Sequence, residues 1–173
     1  VSPDVSQVAP LFLVDASGML QADIGLNAAN GGQSASFSGT AADLVYEDMT
    51  LESADIDAIV ADLFSAPQIE GKFSVRNLTA GGLHIVAASG TAARAGASTS
   101  FDVNATLADG SASAVGSLVP RGNGVALSLQ SFSFSRAGID LSLAGPTTVI
   151  VENGIASFDA AAFRVDGGSL RIT

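Results

Sequence analysis

Apolar and polar residues alternate along most of this chain with a period of two. In Phe101-Asp102-Val103-Asn104-Ala105-Thr106-Leu107 the odd-numbered residues are apolar and the even-numbered ones polar or small. Gly124-Val125-Ala126-Leu127-Ser128-Leu129-Gln130 and Gly138-Ile139-Asp140-Leu141-Ser142-Leu143 repeat the rhythm. Successive side chains of a strand point to opposite faces, so each such segment has one apolar face and one wet face. A chain built from these segments must form a sheet, and the apolar side of that sheet has to be covered by something.

Turn signals divide the rhythm: Asp15-Ala16-Ser17-Gly18, Asn30-Gly31-Gly32, Gly81-Gly82, Asp109-Gly110, Arg121-Gly122-Asn123-Gly124, Asn153-Gly154 and Asp166-Gly167-Gly168. Asn-Gly and Asp-Gly supply the positive φ angles of tight hairpins. Strands are expected over 8–14, 19–28, 33–40, 43–50, 68–77, 83–94, 97–107, 111–119, 124–134, 138–143, 147–152, 155–165 and 169–173. Turns at roughly 8–12 residue spacing predict an all-β fold of antiparallel hairpins. Ser53 to Phe64 has two readings. Ile56, Ile59, Val60, Leu63 and Phe64 follow helical spacing behind a possible Ser53 N-cap, whereas a strand would put Ala54, Ile56, Ala58 and Val60 on one face. Pro67 should end either element.

The 173 residues suit one domain, with no linker or compositional break. Hydrophobic residues make up 47%, too many for a disordered segment. Charged residues are 14% against a usual ~25%, so polarity comes mainly from Ser, Thr and Asn. The net charge of −10 argues against nucleic acid as a partner and against electrostatic docking on an anionic membrane. The absence of cysteine removes disulfides, cysteine nucleophiles and thiolate metal sites. The apolar run Val8 to Val14 includes Pro10 and is too short to span a bilayer. The chain begins in mid-pattern at Val1 and stops on the strand-like Ser169-Leu170-Arg171-Ile172-Thr173. It therefore reads as a single β-rich segment, 1–173, of a longer protein.

No chemistry-bearing constellation stands out. His84 is the only histidine and Lys72 the only lysine. Neither a Gly-x-Ser-x-Gly elbow nor a phosphate-binding loop occurs, and Gly122 with Gly124 reads as turn glycine. Asp55 and Asp57 lie in an acidic stretch, but the glycine and terminal glutamate of a calcium loop are missing. Asn77-Leu78-Thr79 and Asn104-Ala105-Thr106 fit the glycosylation sequon, which recurs by chance. The expectation is a non-enzymatic protein with no cofactor and no metal.

The apolar faces are what remains. Ile69, Phe73 and Val75 share one face; Phe101, Val103, Ala105 and Leu107 another; Val125, Leu127 and Leu129 a third. Phe132 and Phe134 continue that third face after a change of parity, which predicts a bulge near Gln130-Ser131. Ile139, Leu141 and Leu143 form a fourth face, and Val149 with Val151 a fifth. The ordinary reading is the closed core of a sandwich or barrel. The sharper reading is an open trough whose floor holds a lipid-like ligand.

The segment Asp62-Leu63-Phe64-Ser65-Ala66-Pro67-Gln68-Ile69-Glu70-Gly71-Lys72-Phe73-Ser74-Val75-Arg76-Asn77-Leu78-Thr79-Ala80-Gly81-Gly82-Leu83 resembles the repeated unit of the TamB family. In that unit Ala-Pro leads into a hydrophobic–x–Gly–x–hydrophobic strand, then a turn, then a Gly-Gly that opens the next strand. Ala87-Ala88-Ser89-Gly90-Thr91-Ala92 and Leu143-Ala144-Gly145-Pro146-Thr147 are similar in style. The resemblance implies a long antiparallel sheet curled into an open, taco-like hydrophobic trough. It implies a periplasmic segment of a protein anchored in the inner membrane, working with a TamA-like outer-membrane barrel. The implied cargo is phospholipid acyl chains or unfolded outer-membrane protein strands, and the implied roles are lipid transport and outer-membrane protein assembly. On that reading the trough is lined by Phe73, Phe101, Val103, Leu127, Leu129, Phe132, Phe134, Leu141 and Leu143.

Overall fold

The computed structural model describes residues 4, 16–29, 32–63, 67–122, 124–152, 154–158 and 160–172. Among the described residues thirteen strands make one sheet. In chain order they are β1 (Ala16–Ala29), β2 (Gly32–Tyr46), β3 (Met49–Ala61), β4 (Gln68–Ala80), β5 (Leu83–Ala95), β6 (Ser98–Leu107), β7 (Gly110–Arg121), β8 (Gly124–Arg136), β9 (Ile139–Leu143), β10 (Thr147–Glu152), β11 (Ile155–Phe158), β12 (Ala161–Val165) and β13 (Gly168–Ile172). Every strand pairing is antiparallel, and no helix occurs among the described residues. From β1 to β8 each strand pairs with the next in sequence.

Local sequence explains several of the turns. Gly81-Gly82, Ala137-Gly138 and Asp166-Gly167 each place two consecutive residues at positive φ, the geometry whose twist matches flanking strands. Ser53 to Ala61 is strand, within β3, and Ala54, Ile56, Ala58 and Val60 share a face as the strand reading requires. Phe64 and the candidate strand 8–14 lie outside the described residues.

Three expectations are corrected. The run 43–50 is not one strand: Glu47-Asp48 turns between β2 and β3, with Glu47 itself at φ 50. No Asn-Gly or Asp-Gly marks that turn, because the long β2–β3 ladder imposes it. The expected turn at Ala16 to Gly18 lies inside β1, where the ladder slips between Ser17 and Met19. The run 155–165 is two strands, β11 and β12, which pair with different neighbours.

The ladder registers sort the residues into rows. One row of directly opposed residues reads Leu20, Ala41, Ala54, Val75, Ala88, Ala105, Ala112, Phe134, Leu141, Val165, Gly168. The row one residue along, on the other face, reads Gln21, Thr40, Asp55, Ser74, Ser89, Asn104, Ser113, Ser133, Ser142, Arg164, Ser169. Across eleven strands the first row has no polar side chain and the second no apolar one. The Ser113 and Ser133 hydroxyls bond at 2.7 Å within the polar row.

Two irregularities keep the apolar face continuous. Gly116 opposes Leu129 and Val115 opposes Ser131, which leaves Gln130 as the extra residue of a bulge in β8. Leu129 and Phe132 therefore share a face despite being three apart, at the expected place. A second seam crosses β2 to β5. Leu44, Leu51, Leu78, Ile85 and Leu107 are directly opposed, yet Leu44 and Leu78 lie an odd number of residues from Ala41 and Val75. Asp43 and Asn77 take up the odd residue at φ 50 and 46, and β5 slips between Ile85 and Ala87. Asn77 Nδ2 also donates to Glu52 Oε2 across the seam. Asn tolerates the left-handed region better than most L-residues. Asn77→Ala is therefore expected to cost about 1 kcal/mol, read as a lower urea midpoint at unchanged slope, whereas Asn77→Gly stays near wild type.

The sheet is curled, and the apolar face is the concave one. Thr99 on β6 shares the face of Phe101, and its Oγ1 accepts a hydrogen bond from the Ile69 backbone N–H of β4 at 2.9 Å, passing over β5. At the other end the sheet forks. The edge of β8 is shared by β10, along Gly124 to Leu129, and β9, along Ser133 to Arg136. One arm continues through β11, the other through β12 and β13. Leu143, Thr147 and Ala161 are buried at the crotch of the fork, where the Phe132 and Phe163 rings meet edge to face at 6.5 Å.

Candidate functional site: the apolar floor of the curled sheet

Among the described residues only the start of β4, which lies over Thr99, covers any of this face outside the fork. Its buried apolar side chains are only Leu107, Leu143 and Ala161; Ala126 lies on the opposite face, opposed by Val119 and Ile150. The chain exposes 10700 Å² of surface, whereas a compact protein of its 17.2 kDa exposes about 7,800 Å². A closed sandwich or barrel core would leave the opposite signature, with many apolar side chains buried between two layers.

The nine residues expected to line a trough all lie on the concave face. Phe73 and Val103 both oppose Gly90, and the same row continues through Ala114 to Phe132. Phe101 and Leu129 both oppose Gly116. Phe134 opposes Leu141, Leu127 lies two residues before Leu129, and Leu143 opposes Phe163. Eight of the nine are half-buried; Leu143 is buried in the fork and is therefore packing rather than floor.

Large and small residues are opposed across the floor. A side chain on Gly90 would put its Cβ 3.0 Å from Phe73 Cζ and 3.1 Å from Val103 Cγ2. One on Gly116 would come within 2.7 Å of Phe101 Cζ. Each ring thus lies across the glycine of the neighbouring strand instead of standing upright, which lowers the floor locally. Between Ile69, Phe73, Phe101 and Val103 this leaves an apolar groove of about 180 Å³. A second groove of about 300 Å³, lined by Leu20, Phe37, Ala54, Ile56 and Val75, adjoins it through Ile56 and Phe73.

The floor also includes residues absent from the sequence-based set. Leu20, Ile24, Leu26, Phe37 and Ile56 continue it across β1 to β3. They are its most open part: Ile24 is 70% and Leu26 80% exposed. The alternation Leu20, Ala22, Ile24, Leu26 carried the signal, but only the register shows that it joins the same face as Phe73.

The opposite face is polar along the row from Gln21 to Ser169, with an apolar patch of Val119, Ala126 and Ile150 near the fork. Asp57 opposes Lys72 and Asp55 opposes Ser74, and no group of three or more metal-ligating side chains occurs among the described residues. His84 is exposed and opposes Thr79. Arg136 Nε bonds both carboxylate oxygens of Asp109, at 3.0 and 3.1 Å, an exposed pair worth at most about 1 kcal/mol. No protein-family model, curated protein or solved structure matches the chain.

Proposed function

We propose that this chain is a non-enzymatic segment of a TamB-like envelope protein, and that its floor holds the acyl chains of phospholipids crossing the periplasm. The observation that supports this is the uncovered apolar row spanning eleven strands, backed by an unbroken polar row on the outer face. Such a floor is unfavourable in water, and each methylene laid on it gains about 0.8 kcal/mol.

An unfolded outer-membrane strand is the competing cargo. The strands β2 to β7 have neighbours on both sides, so the floor offers a peptide side-chain contact without backbone hydrogen bonds. A peptide would have to dock at a sheet edge, whereas a hydrocarbon chain has no polar groups to satisfy. That difference favours acyl chains. Partnership with a TamA-like outer-membrane barrel and anchoring in the inner membrane belong to the full-length protein on this reading.

Mass spectrometry of the purified chain under non-denaturing conditions tests the proposal. Bound phospholipid is the expected result. A lipid-free protein that also excludes apolar dyes would point instead to a structural module, such as part of a surface adhesin.

A further inference from the structure

At the start of β4 the sheet departs from ordinary pairing. The β4–β5 ladder ends at Gly71 opposite Ala92, although β5 runs on to Ala95. In the ladder Ala93, Arg94 and Ala95 pair with β6 alone, opposite Ser100, Thr99 and Ser98, and their one tie to β4 is the exposed ion pair of Arg94 Nε with Glu70 Oε2 at 3.5 Å. Gln68 to Glu70 lean over them instead. Ile69 N–H donates to Thr99 Oγ1 at 2.9 Å, and Gln68 Nε2 donates to Gly96 O at 2.9 Å. Thr99 is 2% exposed, the one fully buried side chain among the described residues. Its hydroxyl stands in for the β5 carbonyl that a regular ladder would offer Ile69.

From this we infer that Thr99 is a positioning residue: its hydroxyl clasps β4 to β6 across β5 and holds the neighbouring groove narrow enough for one unbranched apolar chain. Thr99 lies two residues from Phe101, and Ile69 itself lines the groove of about 180 Å³ with Phe73, Phe101 and Val103. Valine has the shape of threonine but accepts no hydrogen bond. With valine there, the part-buried Ile69 N–H would be left without its partner, and the relief open to it is to swing back and pair with β5. That movement extends the β4–β5 ladder, relaxes the curl and widens the groove.

The test compares Thr99→Val with Thr99→Ser, which keeps the hydroxyl. The first readout does not depend on cargo. Because the chain has no cysteine, spin labels can be placed at Lys72→Cys and Asp102→Cys, which lie in one row on the convex face. Relaxing the curl brings convex-face labels closer, so Thr99→Val is expected to shorten that distance and speed amide exchange at Ile69. Thr99→Ser should match the parent. The second readout rests on the proposed acyl cargo. Thr99→Val is expected to bind cis-parinaric acid about fivefold more weakly while binding of the bulkier anilinonaphthalene sulfonate is kept or raised.

Unchanged label distance and Ile69 exchange in Thr99→Val would overturn the clasp. A parent protein that binds neither probe would overturn the acyl reading and leave the clasp standing on the first readout. A relaxed curl with both probes weakened equally would refute the role in groove width. If Thr99→Val fails to fold, Gln68→Ala removes the second bond of the clasp at its rim. The same movement, in lesser degree, is then expected, and its absence would overturn the clasp.

Discussion

Ile56→Arg is expected to reduce capture of a fluorescent fatty acid about 15- to 60-fold. Ile56 lies in the row of Gly39 and Phe73, borders both floor grooves and is 41% exposed. An arginine there lays its stem on the floor and keeps its guanidinium hydrated. Water held around that charge would displace two or three methylenes of a bound chain, about 1.6–2.4 kcal/mol, which is the stated loss in affinity. The fold should tolerate the change, because the site is open and the stem replaces part of the lost apolar contact. Leu141→Arg should act in the same direction, with a larger drop in thermal stability because Leu141 is half-buried between Phe134 and Val165. Titration of fatty acid into each variant, alongside thermal melts, separates the two effects. Undiminished capture by both variants would mean that the floor is not the binding surface.

Gly116→Val is expected to destabilise the sheet by about 3 kcal/mol, at the upper end for overpacking, and to lower the melting temperature by up to about 10 °C. Intrinsic preference predicts the reverse, since glycine in a strand interior costs roughly 0.5–1 kcal/mol relative to alanine and valine favours strands. Sterics decide the sign. A Cβ at Gly116 would collide with the Ser128 carbonyl oxygen of β8 and with the Phe101 ring. The ring can rotate away, but the carbonyl cannot move without opening the β7–β8 ladder. A calorimetric melt that shows stabilisation would mean that β7 and β8 are farther apart than the register places them.

The parity change at Gln130 was legible because it interrupts an otherwise strict rhythm within a single strand. The seam through Asp43 and Asn77 was not. Its logic is shared by four strands, and Asn77 by itself looks like any polar residue at an exposed position. The Glu47-Asp48 turn was missed for a related reason: a left-handed glutamate has no local signature, and the flanking ladders hold it there. The nine residues chosen as floor were legible as apolar positions of alternating strands. Leu143 differs from the rest because the fork buries it, and a fork depends on which edge each short strand finds.

Alternation and turn chemistry are local, so the chain by itself determined an antiparallel all-β protein with one oily and one wet face per strand. Whether those oily faces meet each other or stay open depends on how successive strands stack, and that depends on contacts far apart in sequence. The bond from Ile69 to Thr99, thirty residues away, joins β4 to β6 across β5 on the apolar side of a sheet that stays open. The rings lying across Gly90 and Gly116 set the depth of the floor. Only the tertiary structure decided these, because each requires three strands to be brought together before its energy is felt.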